Sequence, residues 1–225
     1  MKILLIEDEK ELSRSIESYL SQENFICETA CTYDEAREKI NLYSYDCLVV
    51  DITLPDGNGL DIIRELKKKQ MEAGIIIVSA KNSVDDKITG LEIGADDYLA
   101  KPFHLSELNA RIKSIIRRRS FGGKNEINMN EIRIIPDEME VFINEQNISL
   151  TKKEFDLLIF FLSNKNRVLT KEAIAEHLWG DEIDMVDSFD FIYTHIKNLR
   201  RKIMEKGGAD YIRTIYGMGY KFESQ

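Results

Sequence analysis

The feature that most constrains the fold is a four-residue apolar run, Cys47-Leu48-Val49-Val50. It ends in a carboxylate at Asp51 and leads into a turn-rich stretch, Pro55-Asp56-Gly57-Asn58-Gly59. An apolar run this short, bounded by turn signals, reads as a strand buried on both faces, as in a parallel sheet. In open α/β sheets, chemistry sits outside the carboxyl ends of the strands. Asp51 stands at such an end. Residues 3–6, 25–29, 75–78 and 98–99 also read as strands. Between them, apolar residues fall at helical spacing: Leu12, Ile16, Tyr19 and Leu20; Leu60, Ile63 and Leu66; Ile88, Leu91 and Ile93. A last helix carries Leu105, Leu108, Ile112, Ile115 and Ile116. Five such βα units predict an α/β, doubly wound, five-stranded parallel sheet with right-handed crossovers.

Periodicity stops at Ser120, and Gly122 and Gly123 adjoin in the next few residues. This predicts a domain at 1–119, a linker at 120–125 and a second domain at 126–225. The second domain reads as α+β. Short alternating runs at 132–135 and 140–143 are broken by Pro136-Asp137 and Asn144. Thr151-Lys152-Lys153-Glu154 is a capping box that opens a first helix. A second opens at Thr170 and ends near Gly180, and a third spans about 187–206, stopped by Gly207-Gly208. Runs at 211–215 and 220–222 around Gly217-Met218-Gly219 predict a closing hairpin.

The composition narrows the setting. The chain has no stretch of about 18 apolar residues, so no membrane span is expected. Its first residues lack the apolar region and cleavage site of a signal peptide, so a cytoplasmic location is expected. Cys27, Cys31 and Cys47 have no metal-ligand spacing and are expected to be buried, reduced thiols. A net charge of −9 argues weakly against nonspecific polyanion binding. Yet residues 197–213 hold six basic side chains (Lys197, Arg200, Arg201, Lys202, Lys206 and Arg213) against Glu205 and Asp210.

With strand order 2-1-3-4-5, the first and third strands are neighbours. Glu7 and Asp8, ending the first, then converge with Asp51. Carboxylates about 4 Å apart repel by roughly 1 kcal/mol in water and about 4 kcal/mol at a partly buried site. Three together call for a cation, and oxygen-only donors favour Mg²⁺ or a similar hard ion. Ser79 and Lys101 stand at two further strand ends, and the Lys101-Pro102 bond sits in a turn that suits a cis peptide. This set fits phosphoryl transfer to Asp51 as carboxylate nucleophile, with Lys101 and the metal neutralising oxygens and Ser79 donating a hydrogen bond. Phosphatases of the haloacid dehalogenase type also use a strand-end Asp, with a second Asp two residues on. Here that position is Thr53, so the general acid is missing. A switch is expected, not a turnover enzyme.

Glu7-Asp8, Asp51 with residues 54–59, Ser79-Ala80 and residues 94–103 (GADDYLAKPF) closely resemble the flavodoxin-like receiver domain of bacterial two-component response regulators. The resemblance implies that Asp51 is phosphorylated by a sensor histidine kinase. It also implies Mg²⁺ at Glu7, Asp8, Asp51 and the Thr53 backbone carbonyl, with Ser79, Lys101 and Tyr98 reading out the phosphate. The stretch from Lys87 to Arg118 resembles the face through which OmpR/PhoB-type receivers form two-fold homodimers on phosphorylation. Across it, Lys87 would meet Glu107, Asp97 would meet Arg111 and Asp96 would meet Arg118, with Leu91 among them. Asn109 occupies a position that is usually small and apolar in that family.

In the third C-terminal helix, Phe189, Ile192, Ile196, Leu199 and Ile203 form an apolar stripe. Its other sides carry Asp190, Thr194, Lys197, Asn198, Arg200 and Arg201. Such a helix suits the major groove, where Arg bonds guanine and Asn bonds adenine while Lys neutralises phosphate. With residues 150–155, Leu178-Trp179-Gly180, residues 195–203 and Gly217-Met218-Gly219-Tyr220, it resembles the winged helix-turn-helix effector of the OmpR/PhoB family. The resemblance implies promoter DNA contacts by Thr194, His195, Lys197, Asn198, Arg200, Arg201, Arg213, Thr214, Tyr216 and Tyr220. It also implies RNA polymerase as a partner of residues 180–186 (Asp181, Glu182 and Asp184), a segment that reads equally as an acidic solvated turn. Asp190 and Tyr216 stand where many members carry arginines, which flattens the expected salt dependence by about one unit of slope each. The reading is a phosphorylation-dependent transcription regulator. The alternative is a phosphorylation-independent DNA-binding regulator that uses its receiver only to dimerise.

Overall fold

The computed structural model describes residues 1–180 and 189–223. The acidic residues Asp181, Glu182 and Asp184 therefore lie outside the described residues. The chain divides into two compact units, Met1–Arg119 and Ser120–Gln225.

The first unit runs β1 (Lys2–Ile6), α1 (Lys10–Gln22), β2 (Ile26–Ala30), α2 (Tyr33–Leu42), β3 (Cys47–Asp51) and a small pair, β4 (Thr53–Leu54) and β5 (Gly57–Asn58). Then come α3 (Gly59–Lys68), β6 (Gly74–Ser79), α4 (Val84–Ile93), β7 (Asp97–Ala100) and α5 (Leu105–Phe121). The large sheet has the expected order, β2-β1-β3-β6-β7, and all its pairings are parallel. β1, β3 and β6 are buried along their whole length, as apolar runs without alternation require. Ile6 lies opposite Val50, Asp51 opposite Val78 and Ser79 opposite Ala100. That register delivers the residues following each strand to one edge.

Several details depart from the sequence reading. Helix α2 has only Ala36 and Ile40 buried, too short a stripe to reveal the helix by periodicity. Its start is set instead by Thr32, whose hydroxyl accepts from the Glu35 N–H at 3.2 Å, while the Glu35 carboxylate accepts from the Cys31 N–H at 2.7 Å. The α4 stripe is corrected: Ile88 and Leu91 are exposed and Gly90 is the buried residue. Gly90 lies against the side chains of Ile77 and Tyr98, and this close seat turns its apolar neighbours outward. Finally, α5 continues two residues into the stretch read as linker. The expectation of three buried thiols is corrected: Cys47 is buried, and Cys27 and Cys31 are half-buried. Cys27 is half-buried, and burial still pushes its thiol up to about 12.

The second unit opens with β8 (Ile127–Met129), β9 (Ile132–Ile135), β10 (Glu140–Ile143) and β11 (Gln146–Ile148), an antiparallel sheet in the order β11-β10-β9-β8. It continues with α6 (Lys152–Ser163), β12 (Val168–Leu169), α7 (Lys171–Trp179), α8 (Asp190–Glu205), β13 (Ile212–Ile215) and β14 (Gly219–Phe222). β13 and β14 form the expected hairpin, and the two-residue β12 adds to its β14 edge. Ile192, Ile196, Leu199 and Ile203 bury the stripe of α8, while Phe189 is only half-buried.

The capping box at α6 is reciprocal. Glu154 N–H donates to the Thr151 hydroxyl at 3.3 Å, and Thr151 N–H donates to the Glu154 carboxylate at 2.8 Å. Lys202 Nζ on α8 reaches the same carboxylate at 2.6 Å. Burial alone would raise the Glu154 carboxyl, but the bonds from Lys202 and Thr151 outweigh it and hold it below its ordinary value of 4.5. A depressed carboxyl stabilises the fold above its unfolded pKa and loses that contribution as pH falls through the folded value. Glu154→Gln is expected to cost about 1.5–3 kcal/mol at neutral pH and to show a smaller further loss on acidification than wild type. Urea denaturation followed through the single tryptophan, Trp179, at neutral and acid pH measures both.

Candidate functional site

At the carboxyl edge of the large sheet, oxygens of Glu7, Asp8 and Asp51 all lie within 4.8 Å of one another. Glu7 and Asp51 are buried, and Asp8 is exposed. Lys101 follows β7 and precedes a cis peptide bond to Pro102. Its ammonium stands 2.7 Å from Glu7 Oε2 and 2.7 Å from Asp51 Oδ2, and its backbone N–H donates to the Ser79 carbonyl at 2.8 Å. Burial pushes the Glu7 carboxyl up, opposed by Lys101. For Lys101, burial acts downward, but its bonds to Asp51 and Glu7 outweigh that and raise it. One ammonium among three carboxylates leaves an excess of negative charge. The all-oxygen donor set fits a hard divalent cation.

The remaining polar atoms are tied down around this cluster. Asp51 Oδ1 accepts from the Thr53 N–H at 3.0 Å, and Glu7 Oε1 accepts from the Glu9 N–H at 3.2 Å. Ser79 is buried, and its hydroxyl accepts from the Lys81 N–H at 3.2 Å. The Tyr98 hydroxyl donates to the Lys81 carbonyl at 2.7 Å, so Lys81, which sequence reasoning passed over, links the two. Asp56 was also missed. Its carboxylate accepts from the N–H groups of Tyr33 at 2.6 Å and Asp34 at 3.0 Å, fastening the β4–β5 turn to the start of α2. An Asp that caps a helix from a distant turn leaves no local spacing to find.

On the face formed by α4, β7 and α5, Arg111 pairs within the chain, with Asp97 at 2.8 Å and Glu107 at 2.8 Å. Asp96 pairs with Arg119 at 3.0 Å, whereas Arg118 donates to the Ser114 hydroxyl at 2.9 Å. Lys87 has no ion pair among the described residues. Leu91 is exposed beside it. Asn109 is not at the centre of this face. It is buried and donates to Glu23, at the end of α1, at 2.8 Å, where Lys113 also binds.

In the second unit, Thr194, Lys197, Arg201, Arg213, Thr214 and Tyr216 are exposed, and Asn198 is half-buried. One expected contact is corrected, and two are partly engaged within the unit. Tyr220 is only 5% exposed, because its place in β14 between Leu169 and Thr214 turns the ring inward. His195 is half-buried 5.5 Å from the Trp179 ring, and burial lowers its pKa. Arg200 makes a two-pronged bond with Asp210. Tyr193 and Met218 were missed as exposed apolar groups.

These geometries can be set beside known proteins. Residues 3–113 match the response regulator receiver domain family, and residues 145–222 match the family described as transcriptional regulatory protein, C terminal. The chain is 38% identical to response regulator ArlR of Staphylococcus haemolyticus over 97% of both chains. It belongs to the response regulator family. A second relative, response regulator ArlR of Staphylococcus aureus strain Mu50, is 38% identical over 97% of this chain and 98% of that one. The receiver domain of a Francisella response regulator is 33% identical with a TM-score of 0.51, covering 52% of this chain and 97% of that chain. This response regulator thus joins a receiver to a DNA-binding domain of the OmpR/PhoB type; it is a transcription factor and not an enzyme. No helix among the described residues is long and apolar enough to cross a membrane.

Gly59 packs so tightly that an added Cβ would overlap the Asp51 carbonyl oxygen. At Gly57 the neighbour is the Tyr33 ring at 2.7 Å, a side chain that can yield. Gly59→Ala is expected to cost about 1–3 kcal/mol by overpacking, and Gly57→Ala less. Urea denaturation followed by circular dichroism ranks the two.

Proposed function

We propose that a sensor histidine kinase phosphorylates this regulator on Asp51, and that the phosphorylated form dimerises through its receiver and binds promoter DNA. The observation that carries the reading is the Lys101 ammonium, 2.7 Å from both Glu7 and Asp51 among three converging carboxylates. In the transfer, the N–P bond of a phosphohistidine breaks as an Asp51 carboxylate oxygen bonds to phosphorus. The imidazole nitrogen leaves with the electron pair and takes up a proton. Lys101 neutralises a transferring oxygen, and the Ser79 hydroxyl donates to another. Glu7, Asp8, Asp51 and the Thr53 carbonyl would hold Mg²⁺, which when bound supplies further charge neutralisation. Thr53 cannot act as a general acid, so the acyl phosphate persists as a signal.

Readout follows from the hydrogen bonds already described. A Ser79 hydroxyl turned toward phosphate gives up the Lys81 N–H. Lys81 also anchors Tyr98, behind the α4–β7–α5 face. In a dimer, Arg111 would exchange its own Asp97 and Glu107 for charges across the interface, Lys87 would meet Glu107, and Asp96 would leave Arg119 for Arg118. Exposed pairs contribute about 0–1 kcal/mol each, so burial of Ile88 and Leu91, at about 25 cal/mol per Å², supplies the affinity. On DNA, Thr194, Lys197, Asn198 and Arg201 face the major groove, with Arg213 and Thr214 on the backbone. The same reading places the protein in the cytoplasm, with RNA polymerase as a further partner.

With Mg²⁺ and acetyl phosphate, wild type is expected to gain one phosphoryl group by intact mass and to bind an enriched duplex more tightly, whereas Asp51→Ala does neither. An unmodified wild-type mass and unchanged affinity would falsify the reading. Leu91→Asp should accept the phosphoryl group yet stay monomeric in sedimentation; a dimer there would move the interface elsewhere.

A further inference from the structure

The turn that follows Asp51 has little of its own to hold it in place. Strands β4 and β5 are two residues each, pairing Thr53 with Asn58 and Leu54 with Gly57, and a ribbon of that length does not stand alone in water. Leu54 is buried, but Thr53, Pro55, Asp56, Gly57 and Asn58 are exposed. Hydrogen bonds secure the base of the ribbon. The Thr53 N–H donates to Asp51 Oδ1 at 3.0 Å, the Gly59 N–H to the Ile52 carbonyl at 2.9 Å and the Leu60 N–H to Asn58 Oδ1 at 2.9 Å.

The tip is fastened to a helix from elsewhere in the chain. Asp56 Oδ1 accepts from the Tyr33 N–H at 2.6 Å and Oδ2 from the Asp34 N–H at 3.0 Å. One carboxylate thus takes up the first two N–H groups of α2, which have no partner within the helix, and the helix dipole favours an anion there. Gly57 is pressed against the Tyr33 ring, 2.7 Å from where a Cβ would stand, so the turn and the helix start are packed together as well as bonded. Helix α2 does not need Asp56 in order to begin, because the Thr32 hydroxyl caps it from its own sequence. The turn is the partner that gains.

We propose that Asp56 is a positioning residue for the metal: by holding the tip of the turn it fixes the backbone that carries the Thr53 carbonyl. This rests on the reading that Glu7, Asp8, Asp51 and that carbonyl hold Mg²⁺. A carboxylate ligand is re-aimed by its own side-chain torsions. A backbone carbonyl is not, because it lies in the plane of its peptide and moves only with the chain. Mg²⁺ demands near-octahedral geometry with ligands at about 2.0–2.1 Å. Any freedom in the turn is therefore lost on binding and weakens it, and Asp56 removes that freedom beforehand. The Asp51 carboxylate is bonded to the same segment through the Thr53 N–H, so the acceptor side chain and the carbonyl are positioned together.

The test titrates full-length protein with Mg²⁺ alone by isothermal calorimetry, with no phosphoryl donor present. Asp56→Ala is expected to weaken Mg²⁺ binding about tenfold, the usual loss when a group that orients a metal ligand is removed. Asp56→Asn keeps an oxygen for one of the two N–H groups and should fall between Asp56→Ala and wild type. Thr32→Ala removes the local cap of α2, spares the Asp56 bonds and should bind as wild type does. Asp56 is exposed, so its removal leaves the fold intact, which circular dichroism checks. Because binding and ordering are linked, Mg²⁺ should also slow hydrogen exchange at the Tyr33 and Asp34 amides of wild type. With acetyl phosphate, Asp56→Ala should need about tenfold more Mg²⁺ for half-maximal phosphorylation and still reach the wild-type rate at saturation. Asp56→Ala within about twofold of wild type, or exchange that ignores Mg²⁺, overturns the proposal. So does an equal loss in Asp56→Asn, which makes the effect one of charge alone, or in Thr32→Ala, which makes it one of helix stability. Asp8→Ala separates the proposal from the reading beneath it. If Asp8→Ala abolishes Mg²⁺ binding and Asp56→Ala leaves it intact, only the positioning role is wrong. If wild type binds no Mg²⁺, both fail.

Discussion

The first unit depends on a conflict of charge that its sheet prevents from relaxing. Glu7, Asp8 and Asp51 repel one another, yet the β1–β3 pairing of Ile6 with Val50 holds them together. The strands beneath are apolar and buried on both faces, so the acids cannot separate without unpicking the core. Lys101 answers part of the repulsion from the end of the last strand of the sheet, carried there by β6 and β7. The remaining negative charge suits the edge to a hard cation.

The two units handle charge in opposite ways. In the receiver, unlike charges are arranged so that a small ligand can change the balance. In the second unit, Glu154, Glu205, Asp210 and Glu223 each neutralise a basic side chain within the unit, which orders α6, α8 and the hairpin. The same pairs lower the general attraction for nucleic acid.

The five strands and the edge where the acids gather were legible because apolar runs ending in polar residues are written contiguously in the sequence. Glu7, Asp8, Asp51 and Lys101 could be brought together on paper once the strand order was assumed. What stayed hidden was set by partners far away in the chain. Helix α2 is held by Thr32, Glu35 and the distant Asp56, not by a stripe. Arg200 has Asp210 against it, and Tyr220 is enclosed by its β14 neighbours. Asn109, at a position usually small and apolar in the family, bonds Glu23. In each case the residue type was read correctly and the burial was not.

Helix α4 differs from its neighbours in how little anchors it. Helix α3 buries Ile62, Ile63 and Leu66, but α4 buries only Gly90, with Ile88 and Leu91 turned to solvent. Lifting or sliding α4 therefore exposes little apolar surface, and its amide protons should exchange with solvent through small, frequent openings and not through global unfolding. The receiver thus has a stiff side and a soft side, with Tyr98 packed directly beneath the soft one. A shift of that ring can be absorbed by moving one loosely held helix while the sheet that gathers the carboxylates stays still.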